Sequence, residues 1–335
     1  MNPQQLWRQL ETQIIADKYI LEKVVGAGSF GGVFQGQWQE QGKTLRRIAV
    51  KLMPVPEDKA EEERSFQELQ LAVQLDHPHI VRCFDVGRCL LTGGNYFYLV
   101  MELGTESLQQ RLNRRLLDAE ELQSLCEHIA KALDYLHNPD SALQAHLPQG
   151  RPIQALVHRD LKPGNIIQVG DRWKLCDLGI ARAIRRDDYN TTRPMMTLAY
   201  ASPEAFEGIV SPAGDIWALG ITLVVAGTNR FPFPDAGTKK QLGTTSQLIE
   251  NIRQYRLQLP KLPEPIAEIV GSCLKKERTA RWTASQILQR LQGTAPTVPL
   301  SPLPPQQTAM VVGDGVGSRL VGRSRALDRP MAGSP

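Results

Sequence analysis

The sequence predicts an α+β fold in two parts, a small sheet with one helix followed by a larger, mainly helical part. Two observations support this. Over residues 17–103, short apolar or alternating stretches are separated by glycines, as in β-strands. From there to about Leu291, apolar residues recur at helical spacing. A chain of 335 residues is long enough to build a core in each part.

The predicted strands of the first part are YILEKVV, GVFQGQW, RRIAVKLM, HIVRCFDVGRCLL and NYFYLVMEL. Residues 57–75 between them are predicted to form a helix. Phe66, Leu69 and Val73 lie at helical spacing there, and acidic residues gather at the N-terminal end, where the helix dipole favours them.

The second part begins with a long amphipathic helix, DAEELQSLCEHIAKALDYLH, and contains AGDIWALGITLVVAG, which is apolar on nearly all sides and therefore predicts a buried helix. The stretch LVHRDLKPGNIIQVGDRWKLCDLGIAR, residues 156–182, predicts short strands and loops. Helical spacing continues in TTSQLIENIRQYR, PEPIAEIVGSCLKK and TASQILQRLQ.

Composition separates three segments. Residues 1–16 are a polar extension, residues 17–293 form the folded domain, and residues 294–335 are a Pro-, Gly-, Ser- and Arg-rich tail expected to be disordered. Residues 138–155 are polar with Pro and Gly, which predicts a surface loop of unassigned role.

Charge and cysteine usage exclude several classes of protein. The net charge of +4 does not call for a nucleic-acid partner. The five cysteines are scattered without a C-x-x-C pair, which argues against a disulfide framework or a zinc site and favours a reducing compartment. No apolar run is long enough to span a bilayer, and no signal peptide is evident. We expect a soluble, cytoplasmic protein; the oligomeric state is not indicated.

A glycine-rich loop, GAGSFGGV, places Gly26, Gly28 and Gly31 in the pattern G-x-G-x-x-G. Dinucleotide-binding oxidoreductases share this pattern, but their loop opens directly into a helix. Here VFQGQW continues as a strand, so a hairpin turn is predicted, and its backbone N–H groups can approach phosphates closely. Taken alone, the loop is also compatible with a plain glycine-rich hairpin.

Lys51 and Ala49 share one face of the next predicted strand. Glu68 lies between Phe66 and Leu69, at the edge of the apolar face of the following helix. An inward Glu near an inward Lys predicts an ion pair that holds Lys51 towards phosphate oxygens. The alternative is a solvated lysine on an edge strand.

In this order, GxGxxGxV, AVK, a helical Glu, HRDLKPGN, DLG and SPE resemble the eukaryotic-like (Hanks-type) serine/threonine protein kinases, over roughly residues 17–292. The style of GNII and DLGIAR favours a bacterial source. The resemblance implies a two-lobed protein-kinase-like fold. The antiparallel N-lobe would span residues 17–101, the hinge about 102–105 and the helical C-lobe 106–293.

The resemblance implies that the chain binds ATP and Mg²⁺, with Mn²⁺ as a possible substitute. Lys51, paired with Glu68, is expected to grip the α- and β-phosphates, and Asn165 and Asp177 to hold the metal ion. The nucleotide-binding set that follows is Gly26, Ala27, Gly28, Ser29, Phe30, Gly31, Val33, Ala49, Lys51, Met101, Glu102, Leu103 and Ile167.

For the transfer itself, the resemblance implies that Asp160 orients the substrate hydroxyl as catalytic base and that Lys162 contacts the γ-phosphate. Lys162 two residues after Asp160 is the pattern of kinases that phosphorylate Ser and Thr of protein substrates. Thr197 occupies the position whose hydroxyl meets both residues.

Three further residues have implied structural roles. Glu204 and Arg281 resemble a buried ion pair of the C-lobe, and Asp215 resembles the helix residue that braces the catalytic loop through backbone N–H groups.

Arg159 precedes Asp160, and arginine at this position can pair with a phosphorylated activation segment. Thr191 and Thr192 lie in that segment among several arginines, which suggests autophosphorylation; a mobile charged loop is the alternative. Leu178 of DLG replaces the commoner Phe of the family. It is expected to affect the equilibrium between the inward and outward conformations of Asp177, not the chemistry of phosphoryl transfer.

The rival class is a pseudokinase, a binding scaffold with the same fold. It predicts the loss of at least one of Lys51, Asp160, Asn165 and Asp177, and the sequence retains all four.

Overall fold

The structure is a computed structural model that describes residues 3–28, 31–141, 155–177, 195–234 and 244–294. Within these ranges the chain forms two lobes, a sheet-rich N-lobe and a mainly helical C-lobe. The predicted α+β class is therefore confirmed. The insertion after Ser141 and the C-terminal tail lie largely or wholly outside the described residues.

The N-lobe is built on a six-stranded antiparallel sheet with the strand order β1-β2-β3-β4-β6-β5. Its strands are β1 (Ile14–Ile15), β2 (Tyr19–Gly28), β3 (Gly31–Glu40), β4 (Lys43–Pro54), β5 (Cys83–Leu91) and β6 (Gly94–Glu102).

Side chains alternate between the two faces of this sheet, as the period of a strand requires. Along β4, Val50 and Leu52 join the outer cluster around Phe34, whereas Ala49 and Met53 join the inner cluster towards the cleft. Lys51 shares the inner face with Ala49, as predicted.

The predicted N-lobe helix is α2, Lys59–Gln74. Its N-terminus is capped by Asp58, whose carboxylate accepts a hydrogen bond of 2.8 Å from the backbone N–H of Glu61. Leu69 and Ala72 are buried against the inner face of the sheet. This packing holds the helix across the back of the cleft.

The C-lobe contains seven described α-helices: α3 (Leu108–Leu112), α4 (Ala119–His137), α5 (Met195–Leu198), α6 (Pro212–Thr228), α7 (Thr245–Arg253), α8 (Ile266–Cys273) and α9 (Ala284–Leu291). Helix α6 is buried continuously from Asp215 to Ala226, as its uniformly apolar sequence predicts. Helices α4, α8 and α9 pack around it or against each other in one core.

A second, three-stranded sheet lies beneath the cleft: β7 (Glu106–Ser107), β8 (Ile166–Val169) and β9 (Arg172–Leu175). Its last strand also joins the lobes. Leu175 donates a backbone hydrogen bond of 2.9 Å to His79 and accepts one of 2.8 Å from Val81. The short strands predicted around the HRDLKPGN stretch are confirmed, and they fix the catalytic segment against the N-lobe.

No element is predicted for the first 16 residues, but the structure places helix α1 (Pro3–Arg8) and β1 there. β1 extends the N-lobe sheet, and Trp7 and Leu10 are buried in its outer cluster. The extension is thus packed as part of the N-lobe.

All five cysteines are free, which confirms that the fold has no disulfide framework. Among the described residues, no helix is long and apolar enough to cross a membrane.

Candidate active site

The glycine-rich loop joins β2 and β3 as a hairpin, as predicted. Gly28 pairs with Gly31, and Gly26 pairs with Val33. Gly31 has a φ of +147°, and a Cβ atom added to it would lie 2.1 Å from the carbonyl oxygen of Leu52. Only glycine fits this close approach between the loop and β4. Ser29 and Phe30, the predicted tip, lie outside the described residues.

Below this loop, apolar residues from both lobes form the inner cluster. Five residues of the predicted nucleotide-binding set belong to it or pack against it: Val33, Ala49, Met101, Leu103 and Ile167. The cleft thus has an apolar lining, as ligand-binding pockets commonly do.

The hinge after β6 is fixed by Glu102. Its Oε1 atom accepts hydrogen bonds of 2.7 Å from the backbone N–H of Arg82 and 2.6 Å from Lys174 Nζ. Gly104 follows, where an added Cβ would lie 2.0 Å from a methyl group of Ile167. The side chain of Glu102 is therefore occupied by contacts within the protein.

Lys51 and Asp177 form an ion pair across the cleft, with 2.8 Å between Nζ and Oδ1. Desolvation alone would lower the pKa of Lys51 and raise that of Asp177. Their mutual attraction and hydrogen bond outweigh desolvation, so the pKa of Lys51 is raised and that of Asp177 is lowered. Both groups are held in their charged forms.

The predicted ion pair between Lys51 and Glu68 is wrong for this structure. Among the described residues, no ion pair includes Glu68, and Lys51 binds Asp177 instead. Desolvation raises the pKa of Glu68, and the positive charges of Arg159 and Arg64 oppose this only in part. The physical reason is competition. Asp177 follows β9, which is bonded to the N-lobe through Leu175, and its carboxylate reaches Lys51. Helical spacing alone does not determine whether the side chain of Glu68 reaches Lys51.

Asp160, Lys162 and Asn165 converge in the catalytic loop. Lys162 Nζ donates to Asp160 Oδ2 at 2.7 Å and to Thr197 Oγ1 at 3.3 Å. Asn165 Nδ2 donates to the backbone oxygen of Asp160 at 2.8 Å and to its Oδ2 at 2.9 Å. One carboxylate is thus held from two sides, and the predicted contact between Lys162 and Thr197 is present.

Asp215 braces this loop from below, as predicted. Its carboxylate accepts hydrogen bonds from the backbone N–H groups of His158 at 2.8 Å and Arg159 at 2.9 Å. His137 also contacts it at 3.0 Å between Nε2 and Oδ2, a role that sequence reasoning missed. The only sequence signal for it is that His137 ends the long predicted helix in YLH. These bonds outweigh desolvation and lower the pKa of Asp215.

Two residues of the site have strained backbone conformations. Arg159 has a φ of +69° and Asp177 one of +56°. Such conformations cost about 1–3 kcal/mol each and persist where surrounding contacts impose them. At Arg159 those contacts include Asp215. Near Asp177, His158 Nε2 lies 3.0 Å from the backbone oxygen of Cys176.

The oxygen donors that remain suit Mg²⁺. Asn165 uses its amide nitrogen on Asp160, which leaves its side-chain oxygen, and Asp177 keeps a second carboxylate oxygen beside the one on Lys51. In the part of the chain that the structure describes, no cluster of three or more His, Cys, Asp or Glu side chains is placed to hold a metal by itself. Mg²⁺ needs only one or two protein ligands when phosphate oxygens supply others.

Cys176 lies directly before Asp177, but a reactive role there is not supported. Burial is the main cause that raises the pKa of its thiol well above the usual range, and the charge of Asp177 adds to it. The thiolate form is therefore disfavoured.

Of the remaining predictions, one is confirmed, and the others concern residues that the structure does not describe. Glu204 and Arg281 form the predicted buried ion pair through two bonds of 2.6 and 2.8 Å. Leu178, Thr191 and Thr192 lie outside the described residues.

The fold and this site define a two-lobed phosphotransferase class in which a glycine hairpin faces a catalytic loop. Residues 19–291 match the protein kinase domain family. Because the match covers most of the chain, the protein belongs to that family.

Curated relatives agree with this assignment. The chain is 29% identical over 328 residues to the serine/threonine-protein kinase PknA of Mycobacterium tuberculosis strain H37Rv. It is similar to the PknA of Mycobacterium bovis to the same extent. Each alignment covers 92% of this chain and 70% of the relative.

Proposed function

We propose that this protein is an active serine/threonine kinase that transfers the γ-phosphate of ATP to Ser or Thr hydroxyls of proteins. The observation that carries the proposal is the Asp160 carboxylate, held by Lys162 and Asn165 within a loop braced by Asp215. Such a fixed carboxylate can accept the proton of an attacking hydroxyl while the lysine offsets charge on the transferred group.

In the proposed reaction the substrate oxygen forms a bond to the γ-phosphorus, and the bond to the bridging oxygen of ADP breaks. The hydroxyl proton passes to Asp160. Lys51 would bind the α- and β-phosphates, and Asn165 and Asp177 would hold Mg²⁺, for which Mn²⁺ could substitute. A bound Mg²⁺ neutralises phosphate charge. The N–H groups of the glycine hairpin position the phosphates for in-line attack.

The preference for Ser and Thr is supported by Lys162, two residues after Asp160, and by its hydrogen bond of 3.3 Å to Thr197 Oγ1, the contact that the family resemblance implies for serine/threonine kinases. The PknA relatives are serine/threonine-protein kinases by name. A pseudokinase role remains the rival, but the geometry favours catalysis because all four charged or amide groups converge on one cleft.

The test is transfer of label from [γ-³²P]ATP to a generic acceptor protein, followed by phosphoamino-acid analysis, with and without EDTA. We expect phosphoserine and phosphothreonine only when divalent metal is present. Label on tyrosine alone, or no label with bound nucleotide, would contradict the proposal.

Autophosphorylation of Thr191 or Thr192 is part of the proposal. Within the described residues, Arg159 Nε is buried and has no hydrogen-bond partner. The guanidinium of Arg159 is therefore available to pair with a phosphate group. The double variant Thr191→Ala and Thr192→Ala should lose activity and the corresponding phosphopeptide by mass spectrometry. Unchanged activity of this variant would exclude the switch.

The remaining predictions concern the cellular location, the source organism and the domain boundaries. The cytoplasmic location and the bacterial source stay predictions, supported by free cysteines and by the mycobacterial relatives respectively. The boundaries of the kinase domain at residues 17–293 and of the tail at residues 294–335 are likewise proposed, with the family match at 19–291 in support. The extension before residue 17 belongs with the N-lobe, because Trp7 and Leu10 are buried in its core.

A further inference from the structure

We propose that Trp7 is a positioning residue that supports the glycine-rich hairpin from the face opposite the nucleotide. Trp7 lies in helix α1, ahead of residue 19, where the match to the kinase family begins. Its side chain is only 5% exposed and packs edge-on against Phe34 and Tyr96, with ring centroids 6.4 and 5.8 Å apart. This inference deepens the proposed function and rests on it.

The segment that carries Trp7 is fixed to the sheet at several points. The backbone N–H of Thr12 donates to the oxygen of Leu21 at 2.7 Å, and the N–H of Val24 donates to Glu11 Oε1 at 3.0 Å. Leu10 is 3% exposed in the outer cluster. Because Val24 lies two residues before the first glycine of the loop, this anchoring reaches the base of the hairpin.

The ring of Trp7 lies directly on the backbone of Gly32. A Cβ atom added to Gly32 would lie 2.6 to 2.9 Å from three atoms of the indole ring. Gly32 immediately follows Gly31, the last glycine of the G-x-G-x-x-G pattern. Because Gly32 has no side chain, the indole ring of Trp7 can contact the backbone at the start of β3.

Side chains along β3 alternate between the outer and the inner face of the sheet, and this places the contact with Trp7 on the outer face. Gly32 and Phe34 face Trp7 on the outer surface, whereas Val33 packs in the inner cluster with Ala49. A glycine-rich backbone has few side chains of its own to hold it in place. Support from Trp7 would reduce the entropy lost when the hairpin is ordered over a nucleotide.

The test compares Trp7→Ala with Leu6→Ala, a control in the same helix whose side chain is 50% exposed. Dissociation constants for Mg–ADP by calorimetry, KM for ATP, kcat and Tm are measured for each. For Trp7→Ala we expect Kd and KM to rise about 3- to 10-fold, the size of effect expected when a segment must be ordered on binding, with kcat within about twofold. Leu6→Ala should match the wild type, and Trp7→Phe should restore most of the affinity.

A lower Tm and kcat with unchanged Kd and KM would overturn the inference, since Trp7 would then contribute only to core stability. If the wild type itself fails to bind nucleotide, it is the proposed function that fails.

A second comparison remains decisive even if Trp7→Ala folds poorly. Gly32→Ala should weaken Mg–ADP binding because its methyl group meets the indole ring. Combining it with Trp7→Leu, which makes space, should bind Mg–ADP more tightly than Gly32→Ala alone. If the two changes weaken binding additively, the direct contact does not control the hairpin and the inference is overturned.

Discussion

At the scale of single residues, two charged side chains of the cleft differ in their surroundings. Lys51 forms an ion pair with Asp177, whereas Glu68 is desolvated and has no ion-pair partner among the described residues. A raised pKa means that the charged form of Glu68 is less favourable in the folded protein than in the unfolded chain. The charge of Glu68 is therefore not what stabilises this arrangement.

Glu68→Gln should consequently leave Tm at pH 7 unchanged or slightly higher, because the charged carboxylate is disfavoured by burial. Thermal unfolding measures this. Glu63→Gln, at an exposed position of the same helix, is the matched control. A large fall in Tm for Glu68→Gln alone would contradict this account of the cleft.

The residues with proposed chemical roles could be named from sequence because the motifs that carry them resemble, in order, those of the protein kinase family. Lys51 also stands out by its position on a strand face, whereas the roles of Asp160, Asn165 and Asp177 follow from the resemblance. Which acid binds Lys51 could not be predicted, because it depends on how far Glu68 of α2 and Asp177 after β9 each lie from Lys51 in the folded protein. The support of Asp215 by His137 escaped prediction for the same reason, since 78 residues separate them.

At the scale of elements, replacing either of two helix glycines with alanine should change the free energy of unfolding, in opposite directions. Gly271 in α8 has no neighbouring atom within 4 Å of an added Cβ, so Gly271→Ala should stabilise by about 0.5–1 kcal/mol through helix propensity. At Gly220 in α6 an added Cβ would lie 2.8–3.0 Å from Cys273 and Leu274. Gly220→Ala should therefore destabilise by about 1–3 kcal/mol. Urea unfolding measures both, and equal signs would contradict the packing described.

A cluster of three histidines, His77 and His79 after α2 and His128 of α4, should make stability depend on pH. Desolvation, with the neighbouring His79 as the next cause, lowers the pKa of both His77 and His128 to about 4. The rings of His79 and His128 stack at 4.2 Å, and the backbone N–H of Trp173 donates to Nδ1 of His128, which must be unprotonated to accept it.

The unfolded chain binds protons near pH 6.5, while the folded protein binds them only near pH 4. Stability contributed by the neutral rings is therefore present above pH 6.5 and is lost as the pH falls towards 4. In His128→Gln, Tm should fall less steeply over this window. The difference in Tm at pH 8 reports only the lost contacts, and an unchanged slope would contradict the prediction.

The long elements were predictable because each has a strong period of its own. The short ones, α1, β1, α3 and β7, were not, since segments of two to six residues are stabilised by tertiary packing and carry little periodic signal. Trp7 shows the consequence: its role in the N-lobe core appears only when the sheet is assembled.

At the scale of the whole molecule, the two lobes meet where the chemistry is proposed. The pair of Lys51 and Asp177, the pair of Glu102 and Lys174, and the backbone bonds of Leu175 all cross between them. The division into a sheet-rich part and a helical part could be predicted from the change of periodicity after Leu103, and the two lobes from the family resemblance. The contacts between the lobes could not, because they join residues distant in the chain.

The measurement that tests the central claim most directly is phosphoryl transfer by the wild type beside Asp160→Asn. Asp171→Ala is the matched control, because this aspartate of the same segment has a side chain that is 93% exposed. We predict that Asp160→Asn loses about a hundredfold or more in rate while Mg–ADP affinity and Tm stay close to wild type, and that Asp171→Ala is unaffected. Equal rates for the wild type and Asp160→Asn would contradict the account.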